Sequence, residues 1–309
     1  MKQGAAELIA GLEAQGLRFT SFERIEDGAY PAADVRWNQS DVAHVESVHG
    51  SFETLAPILS DDVAVEVFVL RPFGLRVPLT TAHYVVPGEA RVSVTTMGPL
   101  ALVIEARVED VSGGTSRARA RFAIGAPRCW RWLTPLAAWL VRRNHDRLAV
   151  DDEPLKLRRA ELRRRGFTFR QDVEGASYAA SLQIGRDNVV PPARGDAGDD
   201  ATSRLGTLDV GESGRREWRL GSDDERGVRA IRDGNTIRGY PRLCLHDGAS
   251  LDDATVCDGA LVCPWHGRRW PALVSLDLAV GETASAEGRA IRLTRAGSTV
   301  TVERIGTGS

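Results

Sequence analysis

Apolar and β-branched residues alternate with polar ones through most of residues 62–125. The stretches DVAVEVFVL, RVPLTTAHYVV, ARVSVTT, ALVIEARVEDV and TSRARARFAI read as successive strands. Turn formers separate them: Arg71-Pro72-Phe73-Gly74, Pro87-Gly88, and Gly113-Gly114, which marks a hairpin. Ahead of them, residues 5–15 (AAELIAGLEAQ) carry the spacing of a short amphipathic helix. After Gly125 the texture turns helical, from about Arg128 to Arg165, with breaks predicted near Pro135 and Pro154. A curved antiparallel sheet closed by one long late helix would enclose an apolar cavity.

Residues 186–215 start with Val189-Val190-Pro191-Pro192 and run on through Gly, Asp and Ser, the texture of a linker. Beyond them REWRL, GVRAIRDG, NTIRGY, ALVCPW, RAIRLTR and STVTVERI are short strands between turns. The pattern divides the chain into a domain over 1–185, a linker over 186–215 and an all-β domain over 216–309. A length of 309 residues suits two domains.

Composition narrows the function classes. With 42% apolar and 27% charged residues, the chain is neither collagen-like nor wholly disordered. A net charge of −2 gives no polyanion footprint, so nucleic acid is not an expected partner. The longest apolar helical stretch, Trp132 to Val141, is about half of a bilayer span, and Met1 to Gly16 lacks a secretory core. The expectation is a cytoplasmic protein with no membrane partner. Four cysteines are too few for a disulfide framework, which leaves reduced thiols available as metal ligands.

Two of those cysteines carry the strongest signal. The segment from Pro241 reads PRLCLHDGASLDDATVCDGALVCPWHGRRW, with Cys244-x-His246, sixteen residues, then Cys263-x-x-His266. Each of two loops offers one thiolate and one imidazole. A [2Fe–2S] cluster can take both sulfurs on one iron and both nitrogens on the other. Zinc sites more often pair their ligands as C-x2-4-C. The arrangement resembles a Rieske iron–sulfur domain, and CPWHG is similar to the second loop of Rieske-type oxygenases. Respiratory Rieske proteins add a disulfide, a Ser and a Tyr. Ala249, Trp265, Arg268 and Trp270 stand near those positions here, which implies a low reduction potential. Cys129 and Cys257 are left over and are expected to be buried structural thiols.

A second set lies before the long strands, in WNQSDVAHVESVHG. On a helix, Asp41, His44 and either Val48 or His49 fall near one face. Two imidazoles and one carboxylate leave coordination positions open for oxygen, as in the facial triad of non-haem Fe(II) oxygenases. The spacing Asn38-x2-Asp41-x2-His44-x4-His49 resembles the mononuclear iron motif of Rieske non-haem iron oxygenases. In that family the carboxylate lies on the late helix. The resemblance points to Asp146, while Asp151, Asp152 and Glu153 in the same acidic run compete for the place. It also implies that Asp41 couples the two metal centres, and that Asn38 sits near the iron without binding it. His83, in TTAHYVV, is expected in the pocket wall or core.

The resemblance implies an α+β chain: an N-terminal helix-grip (START-like) catalytic domain, then an all-β Rieske domain. This order is the reverse of the usual one. The implied activity is that of a terminal oxygenase component with a [2Fe–2S] cluster and a mononuclear Fe(II). It would use O2 to oxidise a hydrophobic small molecule, with electrons from a ferredoxin or an NAD(P)H-dependent reductase. The family commonly forms trimers, so a homo-oligomer is a further expectation. The alternative is an electron-transfer protein whose helix-grip domain binds a lipid-like ligand without iron.

Overall fold

The computed structural model describes residues 4–49, 52–70, 76–86, 90–175, 177–192, 202–211, 214–224, 226–285 and 291–305. The chain forms two compact units, one of 1–165 with 169–184 and one of 166–168 with 185–309.

The first unit is a seven-stranded antiparallel sheet holding a long helix, the helix-grip plan. Its strands are β1 (Leu17–Gly28), β2 (Phe52–Leu59), β3 (Val63–Leu70), β4 (Val77–Val85), β5 (Arg91–Met97), β6 (Leu100–Asp110) and β7 (Ser116–Pro127). The order is β1-β7-β6-β5-β4-β3-β2, so every neighbour but β1–β7 is consecutive in the chain. Strands β3 to β7 follow the alternation in the sequence. Gly113 and Gly114 both take positive φ in the β6–β7 hairpin, where a Cβ would be strained. The turns at 71–74 and 87–88 lie outside the described residues. The two edge strands, β1 and β2, were not among the predicted elements.

Helix α1 (Ala5–Ala14) covers one end of the sheet, packing Ala5 and Leu8 near Val92 and Val103. Helix α2 (Ala32–Ser40) and the short α3 (His44–Val48) lie between β1 and β2. The late helix begins with a 3-10 turn (Arg128–Leu133) and continues as α4 (Thr134–Arg164). Ala138 on α4 packs with Leu102, Phe122 and Ile124 of the sheet. The expected break at Pro135 is absent because the first helical turn needs no intrahelical N–H. Pro154 is carried inside α4 without ending it. Tertiary contacts hold the helix on both sides of it, above all the buried pairing of Arg159 with Asp34 on α2.

The second unit is all-β. One four-stranded sheet runs Ser203–Asp209, Thr299–Arg304, Ile291–Ala296, Thr283–Ser285, and another runs Arg216–Leu220, Val228–Asp233, Thr236–Pro241, Val274–Asp277. Leu208, Val228, Ile237, Leu276, Leu293 and Val300 form their shared core. A three-stranded sheet of Thr255–Cys257, Ala260–Val262 and Arg269–Pro271 carries one of the Cys/His loops. The stretch 186–215 is not linker throughout. Ser203–Asp209 is a strand, its Leu208 fully buried, and the Asn188 and Val189 N–H groups both donate to the Leu245 carbonyl. Residues 193–201 and 212–213 of that stretch lie outside the described residues.

Candidate metal centres and cavity

The Cys/His loops of the second unit are built alike. In the first, Cys244 N–H donates to the Ala249 carbonyl and Gly248 N–H to the Cys244 carbonyl. In the second, Cys263 N–H donates to the Arg268 carbonyl and Gly267 N–H to the Cys263 carbonyl. Both therefore close over the same four- and five-residue spans. Gly248 and Gly267 each take positive φ at the same place in the turn.

These loops bring Cys244, His246, Cys263 and His266 together, all buried. The two imidazoles meet edge to face, Nδ1 to Nδ1 at 3.1 Å. The thiols share a hydrogen bond that raises Cys244 well above the ordinary thiol range and lowers Cys263 to about 5. Trp270 Nε1–H donates to Cys244 Sγ at 3.3 Å. Two thiols and two inward-facing imidazole nitrogens fit a [2Fe–2S] cluster of the mixed-ligand type. Cys129 and Cys257 are exposed, against expectation. Cys129 sits on the 3-10 turn ahead of α4, and Cys257 beside Asp258 at a tight turn.

In the first unit the helix holding the second motif is interrupted. Asp41 leaves α2 with φ −83 and ψ 85, α3 starts at His44, and His49 follows its last residue. The single continuous helical face expected of Asp41, His44 and His49 is therefore replaced by a bend. Both histidines are buried, with rings 5.2 Å apart, and they turn Nε2 toward the same atom of α4. His44 Nε2 lies 3.3 Å and His49 Nε2 3.0 Å from Asp152 Oδ1.

Asp146 is not at this centre. It is exposed and pairs with Arg24 of β1 at 3.0 Å. Six residues turn a helix by about 600°, so Asp146 and Asp152 face about 120° apart. Of the acidic run it is Asp152 that reaches the Nε2 atoms of both histidines.

The outer nitrogens are also held. His44 Nδ1 donates to the Asp41 carbonyl and lies 3.6 Å from Asp41 Oδ2. His49 Nδ1 lies 3.4 Å from Asp151 Oδ2. Anchoring each Nδ1–H leaves each Nε2 lone pair aimed inward, the usual support of a metal-binding histidine. Asp152 Oδ1 is buried and, among the described residues, makes no hydrogen bond of acceptable geometry despite these short contacts. Three donor atoms thus converge on one point. Right-angle ligands about 2.1 Å from a metal lie about 3 Å apart, so the spacing fits a divalent cation.

Electrostatics agree with that fit. Burial disfavours a charged His44, yet Asp152 and Asp41 push its pKa up to about 10. Burial also works against an ionised Asp152, but His44 and His49 hold it well below the usual carboxylate range. The field that keeps a proton there equally favours a metal cation.

The centre opens into a cavity of about 730 Å3 between the sheet and α4. Leu79, Leu102, Ile104, Phe122 and Val141 give it apolar walls. Asn38 on α2 also lines it, and among the described residues its Nδ2 has no hydrogen-bond partner. His83 is in the wall, as expected. Glu66, Thr81, Ser93 and Thr95 join it there, and sequence reasoning had singled out none of them. Glu66 alone left a trace, as the one polar residue of an otherwise apolar strand, while Thr81, Ser93 and Thr95 stand among other polar residues of β4 and β5.

The family model for the Rieske [2Fe-2S] domain matches residues 214–278. That segment is a Rieske domain. Both Cys/His loops fall within it. No curated protein sequence matches the chain. Among solved structures, the Zhui aromatase/cyclase from Streptomyces sp. R1128 is 16% identical, over 48% of this chain and 97% of that one, with a TM-score of 0.37. A START superfamily protein from Mycobacterium smegmatis gives 11%, 44%, 96% and 0.36 for the same measures. Norcoclaurine synthase from Thalictrum flavum gives 10%, 51%, 94% and 0.39. No helix among the described residues is long and apolar enough to cross a membrane.

Proposed function

We propose that the chain is the terminal component of a Rieske non-haem iron oxygenase, oxidising a hydrophobic small molecule bound in the helix-grip cavity. In this reading Cys244, His246, Cys263 and His266 hold the [2Fe–2S] cluster, and His44, His49 and Asp152 hold a mononuclear Fe(II). The catalytic domain comes first and the Rieske domain second. A ferredoxin or an NAD(P)H-dependent reductase supplies electrons. The observation that carries the reading is the convergence of His44 Nε2, His49 Nε2 and Asp152 Oδ1 on one point of the cavity wall, in a chain that also has a Rieske domain.

Held by His44, His49 and Asp152, an Fe(II) ion would supply O2 chemistry. The residues of the chain do the rest. Asp41 and Asp151 hold the two imidazoles in the tautomer that presents Nε2 inward. Asp41, buried beside His44, places a carboxylate oxygen 3.6 Å from the same Nδ1 and so favours keeping the proton there. The walls at Leu79, Leu102 and Phe122 keep water from the centre and hold an apolar substrate against it. Asn38 offers an amide donor to whatever polar atom approaches.

The test is iron and sulfide quantification with EPR on anaerobically purified protein. The reading expects about three irons and two sulfides per chain, falling to about two irons in His44→Ala or Asp152→Ala. About two irons, unchanged by those substitutions, would leave a Rieske electron-transfer protein with a ligand-binding domain.

A further inference from the structure

The inner face of β3, β4 and β5 carries a polar patch on the sheet side of the cavity, beside apolar wall residues such as Leu79, Leu102 and Ile104. Two cross-strand rows account for it. Glu66 pairs with Thr81 and Thr81 with Thr95, while in the next row His83 pairs with Ser93. All five line the cavity. Phe68 and Leu79, two positions further along their strands, return the same face to apolar character.

Within the patch the two threonine hydroxyls bond each other at 2.9 Å, and His83 Nδ1 bonds Ser93 Oγ at 2.6 Å. Glu66 Oε1 and His83 Nε2 stand 3.5 Å apart, too far for a good direct hydrogen bond. Glu66 is only 4% exposed, so its carboxyl group is withdrawn from bulk water and directed at the cavity. A carboxyl group facing a bound hydrocarbon would lose its solvation without replacement, which costs several kcal/mol on the order given by transfer data. Such a group is retained where a ligand supplies the missing partner.

We propose that Glu66 and His83, backed by Ser93, recognise a hydroxyl group on an otherwise apolar substrate, an alcohol or phenol whose carbon skeleton lies along the apolar walls. This rests on the reading of the cavity as a substrate site. A hydroxyl both donates and accepts, so it satisfies the carboxyl oxygen and the imidazole nitrogen together, whichever holds the proton. A ketone only accepts. A carboxylate set between these two groups would press against the Glu66 carboxyl group, and the arginines of the lining, Arg143 and Arg147, belong to α4 and not to this patch. Burial supports a neutral pair: it pushes Glu66 up to about 7, although His44 draws it down, and together with Arg91 it pushes His83 down to about 4.

The probes are naphthalene, 2-methoxynaphthalene and 2-naphthol, of which only the last can both donate and accept. Equilibrium dialysis against the full-length protein measures each affinity. Wild type is expected to bind 2-naphthol about tenfold tighter than naphthalene and 2-methoxynaphthalene, the factor set by one hydrogen bond to a buried charged or acidic group. Glu66→Leu should abolish the preference, and the near-isosteric Glu66→Gln and His83→Phe should each reduce it, so the result does not hang on one variant folding. Equal affinity for the three probes, or a preference that survives Glu66→Leu, overturns the proposal. The measurement is repeated in His44→Ala. The hydroxyl preference should persist there whether or not the wild type holds mononuclear iron, which separates failure of this inference from failure of the oxygenase reading.

Discussion

Asp34 on α2 and Arg159 on α4 form an ion pair from which solvent is wholly excluded, with Nε 3.0 Å from Oδ1. The guanidinium is sandwiched between Trp37 and Phe169, its carbon 4.1 and 3.6 Å from the two ring centres. Arg163 adds a second cation on the same carboxylate. Arg159 is seven residues, two helical turns, beyond Asp152 and on the same face of α4. Asp34 is seven residues before Asp41, where α2 ends and the histidine segment begins. The pair therefore sets the register of α2 against α4, and so of His44 and His49 against Asp152.

Removing one partner of such a pair leaves a charge buried without compensation. Asp34→Ala, which removes the carboxylate paired with buried Arg159 and leaves Arg163 with Asp172, should destabilise the first unit by about 3–5 kcal/mol in urea denaturation. Replacing the partly exposed Arg163 alone should cost much less. If the α2–α4 register governs the metal centre, Asp34→Ala should also lower retained iron before global unfolding begins.

The carboxylate assignment is testable by comparing Asp146 with Asp152. Asp146→Ala removes only an exposed ion pair with Arg24 and should leave iron content unchanged, with stability altered by less than about 1 kcal/mol. Asp152→Ala should lose the mononuclear iron, read as about one iron fewer per chain, while keeping the cluster absorption. Loss of that iron in Asp146→Ala instead would mean that the helix turns differently from the structure described above.

This contrast shows what the sequence could and could not convey. Strands β3 to β7 were legible because alternation is local, and Cys244, His246, Cys263 and His266 because their spacing is itself the chemistry. The choice between Asp146 and Asp152 depends on the phase of α4 against α2, set by a pair 125 residues apart that no local pattern reveals. The polar wall was hidden for another reason. In Val63-Ala64-Val65-Glu66-Val67-Phe68, alternation would send Glu66 to solvent, but the inner face of this sheet lines a cavity rather than a packed core. The mixture of polar and apolar residues there follows a ligand's chemistry, which periodicity does not encode.

Glu66 should also make folding stability depend on pH. An unfolded glutamate ionises near 4.5, whereas burial holds the folded one protonated up to about 7. Below the unfolded value both states are protonated and no cost arises. As pH rises from about 4.5 to about 7, only the unfolded chain ionises freely, so the folded state loses stability across that window. A displacement of this size corresponds to at most about 3 kcal/mol. Glu66→Gln should therefore gain stability relative to wild type between pH 5 and pH 8. A difference that stays constant over that range would show that the carboxyl group is solvated in the folded protein.

Trp270 offers a handle on the Rieske centre. The expectation of a low potential rested on the loss of hydroxyl donors to sulfur, yet the Trp270 indole N–H donates to Cys244 Sγ. The Arg268 guanidinium lies 4.1 Å from the centre of the same indole and pairs with Asp187 at 2.7 Å, which fixes the ring. A ligand sulfur carries more negative charge in the reduced cluster, so this hydrogen bond strengthens on reduction and raises the potential. A differential of about 0.5–1.5 kcal/mol corresponds to roughly 20–65 mV for one electron. Trp270→Phe keeps the aromatic packing and removes the donor, so an EPR-monitored redox titration should find its midpoint lower by that amount. An unchanged or raised midpoint would mean that the indole supports the loop by packing and does not tune the cluster.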